Sequence, residues 1–333
     1  MKRIKSETCA RSIDAKVTLP RFTKDLRTRM VAHSLMEMLL LAACTVRYAT
    51  AIAPGYATAI APGVISEHRF GQLCQASINC NRPLELRGRR VVLSEAVKVQ
   101  RQDNLTIRGP GRIDGSGHSV VQVEGTGPGL SLIDVDLRHV PSTDRTEKRS
   151  LGACVFCRGR GAVRLERCRV TSEAGFGLWL VQRSRAVLKE CDVIDPGRTA
   201  VAVFNVAKVD VSKSTITGGD PHGVCARGEA YVAIRDSRVV GAADRACYAY
   251  MSARLDLART EVSSNDASAA AIQVEALRPG DAARLVLDDV VVSEATRGRG
   301  VSVAGKVAVT LEGVNELRGP IDSAPAVLRE LYL

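Results

Sequence analysis

AVRLERCRVT, running from Ala162 to Thr171, is the stretch on which the fold turns. AVLKECDVI from Ala186, KVDVSKSTIT from Lys208, YVAIRDSRVV from Tyr231 and RLDLARTEVS from Arg254 repeat its pattern. Leu165, Leu188, Val211, Ile234 and Leu257 stand 23 residues apart. Cys168, Cys191, Ser214, Ser237 and Thr260 keep the same interval, as do Val170, Val193, Ile216, Val239 and Val262. A period held over consecutive copies without slippage marks a repeat architecture. Working outward, Leu132 precedes Leu165 by 33 residues, the excess matching the charged stretch 141–150, and Leu287 follows Leu257 by 30. Insertions of that kind belong in loops. Leu105 with Ile107, Leu130 with Leu132, and Val307 with Val309 and Leu311 extend the array at both ends.

Within a repeat, apolar and polar residues alternate in two short runs, such as Gly177–Val181 and Ala186–Leu188. Alternation with period two is the signature of a strand. Turn-forming groups such as Asp195-Pro196-Gly197 and Gly218-Gly219-Asp220-Pro221 fill the remainder, so no repeat has room for a helix. The leucine-rich consensus, which has a similar length, is missing. A 23-residue coil of two or three strands stacked at about 4.8 Å predicts an all-β, right-handed, single-stranded parallel β-helix. About ten coils make a rod roughly 45 to 50 Å long at that spacing.

Composition agrees with a thin repetitive core. The 333 residues include 28 glycines but only 12 aromatics, and mean hydropathy is zero. The formal charge of +11 is concentrated early: residues 1–70 carry 11 Lys/Arg against 5 Asp/Glu, leaving 36 against 31 for the rest. A nucleic-acid partner is not expected of so nearly balanced a body.

The chain divides into an N-terminal extension, 1–70, and a β-helix domain, 71–333. The longest apolar run near the start, Met38–Val46, is too short to span a bilayer, and no transmembrane segment is expected. Residues 1–50 read either as a basic leader, with a lipoprotein-like Leu41-Ala42-Ala43-Cys44, or as an amphipathic helix beginning near Thr23. The first reading implies secretion or organelle targeting and the second a cytoplasmic protein. YATAIAPG occurs twice in tandem over 48–63 and reads as a linker. Cys74 and Cys80 are candidates for a disulfide in an oxidising compartment. Ala326–Leu333 suits a cap over the open end of the rod.

Asn104-Leu-Thr-Ile-Arg-Gly-Pro-Gly-Arg-Ile-Asp-Gly-Ser-Gly117 resembles an early coil of the right-handed β-helix proteins of the pectin-lyase-like superfamily. The 23-residue coils are similar to those of F-box-associated β-helix proteins, and the resemblance covers about residues 84–320. No F-box is recognisable in 1–83. The resemblance implies the fold, and with it a spread of functions from pectate lyases, polygalacturonases and epimerases to phage tailspikes and non-catalytic scaffolds.

Stacking sorts the charged residues and cysteines before any is called catalytic. Arg167, Glu190, Lys213, Asp236 and Arg259 share one column on the second strand and alternate in sign, which is a salt-bridge ladder. Cys154 and Cys157 fall on opposite faces, so their C-x-x-C cannot grip a metal, and Cys168 and Cys191 fill a small-residue slot. No metal or cofactor is expected.

The working surface is expected on the first strand's outer face. Strict alternation places Cys154, Phe156, Arg158, Gly177, Trp179, Val181, Ala200, Ala202, Phe204, Gly223, Cys225, Arg227, Ala246, Tyr248 and Tyr250 there. None is a carboxylate. The outward acids Glu124 and Glu275 are about six coils, roughly 29 Å, apart, too far for the paired chemistry of glycoside hydrolysis. The calcium aspartates of pectate lyases and the paired aspartates of polygalacturonases, which the resemblance would imply, have no matching positions. The face is instead aromatic, and Phe156, Arg158, Trp179, Phe204, Arg227, Tyr248 and Tyr250 are the candidate binding residues for a protein partner or polysaccharide. The leading expectation is a non-catalytic recognition scaffold. The rival is a polysaccharide lyase or hydrolase using Asp220, His222 and Arg227.

Overall fold

The structure, a computed structural model, describes residues 63–116, 119–140, 152–266, 269–293, 300–317 and 322–323. It is a right-handed parallel β-solenoid of about ten turns with a period near 23. Among the described residues one side of the rod is a ten-stranded parallel sheet. Its strands include Ala153–Gly159, Phe176–Leu180, Val201–Asn205, His222–Gly228, Arg245–Met251 and Ile272–Glu275. A second sheet of 19 strands forms the other sides, where Ala162–Glu166 and Arg169–Ser172 are one coil's contribution.

The 23-residue interval is the register itself: Leu165 pairs with Leu188, then Val211, Ile234, Leu257 and Leu287. Identical slots stack at strand spacing, so like side chains lie on like. Leu165, Leu188, Ile234, Ile216, Leu178 and Leu180 are fully buried in one continuous core. Few large rings are needed because each coil encloses only the small volume between its own strands.

From Arg167 onward the charged column sits on a bend between strands and not, as alternation suggests, on a strand. Asp134, Arg167, Glu190, Lys213, Asp236, Arg259 and Asp289 all adopt left-handed backbone, with φ between 46° and 58°. Their side chains splay into solvent, where Arg167 meets Asp134 at 2.7 Å and Arg259 meets Asp236 at 2.6 Å. The next slot, Cys168 to Thr260, turns under the bend. There Ser214 Oγ donates to Ser212 O at 2.8 Å and accepts from Cys191 N at 3.0 Å, a polar ladder that satisfies the buried corner.

Glu67–Cys80 is the one helix among the described residues. Ser66 caps it, and the Glu67 carboxylate accepts from Ser94 N, Ser94 Oγ and Glu95 N, tying the helix start to an early coil. Phe70 and Cys74 enter the core from it, so the expected boundary between 70 and 71 falls inside the helix. Both cysteines are free: Cys74 is buried and Cys80 exposed. Six residues of helix separate them by about 9 Å along the axis, beyond disulfide reach. The leader or amphipathic helix, the tandem linker, the loop at 141–150 and the C-terminal cap lie outside the described residues. No described helix is long and apolar enough to cross a membrane.

Candidate functional site

The outer face of the ten-stranded sheet differs from strict alternation at its leading edge. Cys154, Ala200 and Ala246 are fully buried core residues, although alternation places them outward. A Cβ built on Gly177 would stand 2.7 Å from Val193 Cγ1 and 2.6 Å from Ala200 O, and one on Gly223 would stand 3.0 Å from Val239 Cγ1. Two consecutive residues therefore point inward where the chain rounds the corner into this sheet. The inner corner is filled by valines of the neighbouring strands, which is why the slot holds only Cys, Gly or Ala from 154 to 246. The residues one position earlier, Phe176, His222 and Arg245 among them, face out in their place. Both Cys154 and Cys157 are consequently interior, and burial raises both thiols. No group of metal-ligating side chains gathers among the described residues.

The corrected face has two halves. In the first, the Trp179 ring lies 5.0 Å from Phe156 and 5.2 Å from Phe176, with Ala153 and Ala202 packed among them and Phe204 alongside. The Arg198 guanidinium lies 5.7 Å from the Phe176 centroid. Trp179 Nε1 is buried without an acceptor.

The second half is polar. Tyr248 Oη donates to Glu275 Oε2 at 2.8 Å, and its ring stacks on Tyr250 at 4.9 Å. Burial and the Glu275 carboxylate hold the phenol's pKa above its ordinary value. Arg245 lies 4.9 Å from the Tyr248 centroid and bonds both Asp244 and Gln273, and Gln273 donates on to Glu275. His222 packs 5.0 Å from the Tyr248 ring with Nδ1 3.7 Å from Asp244 Oδ2, too long for a hydrogen bond. Desolvation pulls the imidazole down to about 4 despite the Asp244 carboxylate, so it is neutral at pH 7.

The structure thus gathers Phe156, Trp179 and Phe204 in one half and Tyr248, Tyr250 and Arg227 in the other. Arg227 lies 5.7 Å from the Tyr250 centroid, whereas Arg158 turns to Glu124 at 2.8 Å. Asp220, His222 and Arg227 do not converge. Asp220 is exposed, and His222 and Arg227 are five residues apart on one strand, roughly 16 Å at strand rise. Asp244, Arg245, Gln273, Phe176 and Arg198 were not legible as site residues. Glu275, expected to be isolated from other acids, is joined to Asp244 through Gln273 and Arg245. The one signal was the uniformly small slot ahead of each strand, which marks a crowded inner corner. A depression of about 340 Å³, lined by Leu130, Val163 and Val187 among others, lies on the other sheet.

Fold and register define a right-handed parallel β-helix protein. Residues 153–315 match the family model described as "Right handed beta helix region". A structure of a PL6 family alginate lyase, AlyGC, is similar at 10% identity and a TM-score of 0.53, covering 82% of this chain and 41% of the lyase. The chain thus spans less than half the lyase's length. The Dettilon tailspike protein, gp208, is similar at 9% identity and a TM-score of 0.50, covering 78% of this chain and 68% of the tailspike. No curated protein matches. At these identities the likeness is one of fold.

Proposed function

We propose that the outer face of the ten-stranded sheet is a recognition surface for a saccharide, with the β-helix as a non-catalytic scaffold. The observation that carries this reading is the half-buried Trp179 held between Phe156 and Phe176. The Trp179 ring, with Phe156 and Phe176 tilted against it, offers an aromatic surface to the apolar face of a sugar ring, while the string from Asp244 to Tyr248 offers donors and acceptors to its hydroxyls. The likeness to a lyase named for alginate supports this choice over a protein partner. Calorimetric titration of the full chain with an oligosaccharide panel tests it, comparing wild type with Trp179→Ala and Tyr248→Ala variants of unchanged circular dichroism. Binding that each variant abolishes is expected. Binding to no sugar, with capture of a protein instead, overturns the saccharide.

One observation favours a lyase or hydrolase as a second reading. Asp244, His222, Arg245, Tyr248 and Glu275 form a single cluster of acid, base and cation. Turnover of any bound polysaccharide that Glu275→Gln removes, with binding retained, would replace the scaffold by an enzyme.

A further inference from the structure

Where the ten-stranded sheet turns into its neighbour, the rule of alternating charge fails. Arg185 and Lys208 are in-register partners on adjacent coils. Around the bend, Arg160 and Arg183 occupy the same slot of successive coils, 23 residues apart, and Arg183 N bonds Gly159 O while Arg185 N bonds Gly161 O. All four side chains are exposed, and among the described residues no ion pair engages any of them. Lys208 is 6.0 Å from the Tyr231 centroid. Other stacked cations on this rod find acids, as Arg238 finds Glu261 at 2.8 Å, Arg167 finds Asp134, and Arg254, stacked on Arg284, finds Asp256 at 2.6 Å. Like charges at strand spacing, about 4.8 Å, repel and weaken the register. Four cations without an acid partner are thus staggered over three successive coils, Arg160 on one, Arg183 and Arg185 on the next and Lys208 on the third, and each like-charged contact weakens the fold.

We infer that this corner binds the sulfate or phosphate ester groups of a polysaccharide. Three of the four cations are arginines, whose planar forks pair with the oxygens of tetrahedral oxyanions. The corner adjoins Phe204 and Val181, which face outward just ahead of Asn205 and Gln182 at the bend. Arg183 follows Trp179 by four residues, at most about 13 Å of strand, so a chain stacked on Trp179 reaches the corner over a few sugar units. The choice of a polysaccharide rests on the saccharide reading of the aromatic face; the ester site rests on the charge array.

Fluorescence polarisation with the full chain separates the two. The probes are a heparin octasaccharide, its desulfated counterpart that keeps the carboxylates, a phosphomannan fragment and a single-stranded oligonucleotide. Wild type should bind the sulfated or the phosphorylated probe about tenfold or more above the desulfated one. An Arg183→Ser/Arg185→Ser variant should lose about tenfold or more. Its slope of log K against log salt should fall by about 1 to 2, as loss of two ionic contacts requires. Its melting temperature should hold or rise, because repulsion has been relieved. An Arg69→Ser/Arg169→Ser variant, altered at exposed arginines elsewhere, should bind as wild type. Equal binding of the desulfated probe, unchanged binding by the Arg183/Arg185 variant, or preference for the oligonucleotide overturns the ester-bearing polysaccharide. Trp179→Ala reports separately: full retention of the ester-bearing probe there sinks the saccharide reading of the aromatic face and leaves the charge array standing.

Discussion

Gly177→Ala distinguishes the two ways of facing the strand that carries Trp179. Alternation puts Gly177 on the open face, where an added methyl is harmless and the stiffer unfolded chain contributes about 0.4 to 1 kcal/mol of stability. In the structure the same methyl enters the inner corner 2.6 Å from Ala200 O and 2.7 Å from Val193 Cγ1, against backbone and a branched core side chain. Overpacking of this kind costs about 1 to 3 kcal/mol. Because the clash is with backbone, the upper half of that range applies, about 2 to 3 kcal/mol, and offsetting the gain leaves a net loss of about 1 to 2.6 kcal/mol, or roughly 2 to 10 °C by the scaling for larger domains. Gly71→Ala is the internal control, since Gly71 lies exposed in the helix with nothing within 4 Å of the added carbon. It should gain about 0.5 to 1 kcal/mol. Guanidinium melts followed by circular dichroism measure both, and amide exchange should show the Gly177→Ala loss centred on the coils around 177 and 200, as nearest-neighbour stacking demands. A Gly177→Ala protein as stable as wild type, or more so, would refute the inward turn and the composition of the face built on it.

Three further outcomes follow from the same geometry. Because His222 titrates near 4 when folded and near 6.5 when unfolded, the unfolded state binds more protons between those values. Stability should fall as pH drops from about 6.5 to 4 and level off below, by up to about 2 to 3 kcal/mol. Denaturant melts of His222→Gln should lack that component. Ile234→Ala, which empties a fully buried rung between Val211 and Leu257, should cost about 2 to 5 kcal/mol in the same melts. Cys225 lies under the face with burial pushing its thiol up to about 12, whereas Cys80 is exposed. Mass-spectrometric alkylation of the native protein should label Cys225 slower than Cys80 by on the order of a hundredfold.

The solenoid was legible because a repeat turns sequence distance into register: once Leu165 and Leu188 are stacked, their neighbours follow. The candidate site was legible only where period two persists. Phe156, Trp179, Phe204, Tyr248 and Tyr250 stand in the straight part of their strands, and alternation orients them correctly. Phe176, His222 and Arg245 stand before the corner, where two inward residues in succession shift the phase. Propensity carries no mark of that shift, although Cys154, Gly177, Ala200, Gly223 and Ala246 record it as a shortage of space. The bend at Arg167 to Arg259 was misplaced for a related reason. Left-handed backbone at Arg, Glu, Lys and Asp is set by stacking the coils, not by the residue. Asp244 joined the polar half through the Arg245 side chain, a contact that a list of outward strand positions does not contain.

Trp179 is the only tryptophan in the chain, so its fluorescence reports on the face alone. Titrating the full chain with the oligosaccharide panel while following emission and acrylamide quenching tests the central claim most directly. Recognition on this face predicts a saturable emission shift and protection from acrylamide with a bound sugar, at the affinity that calorimetry gives. A sugar that binds by calorimetry while Trp179 emission and quenching stay unchanged would place recognition elsewhere on the rod and contradict the account.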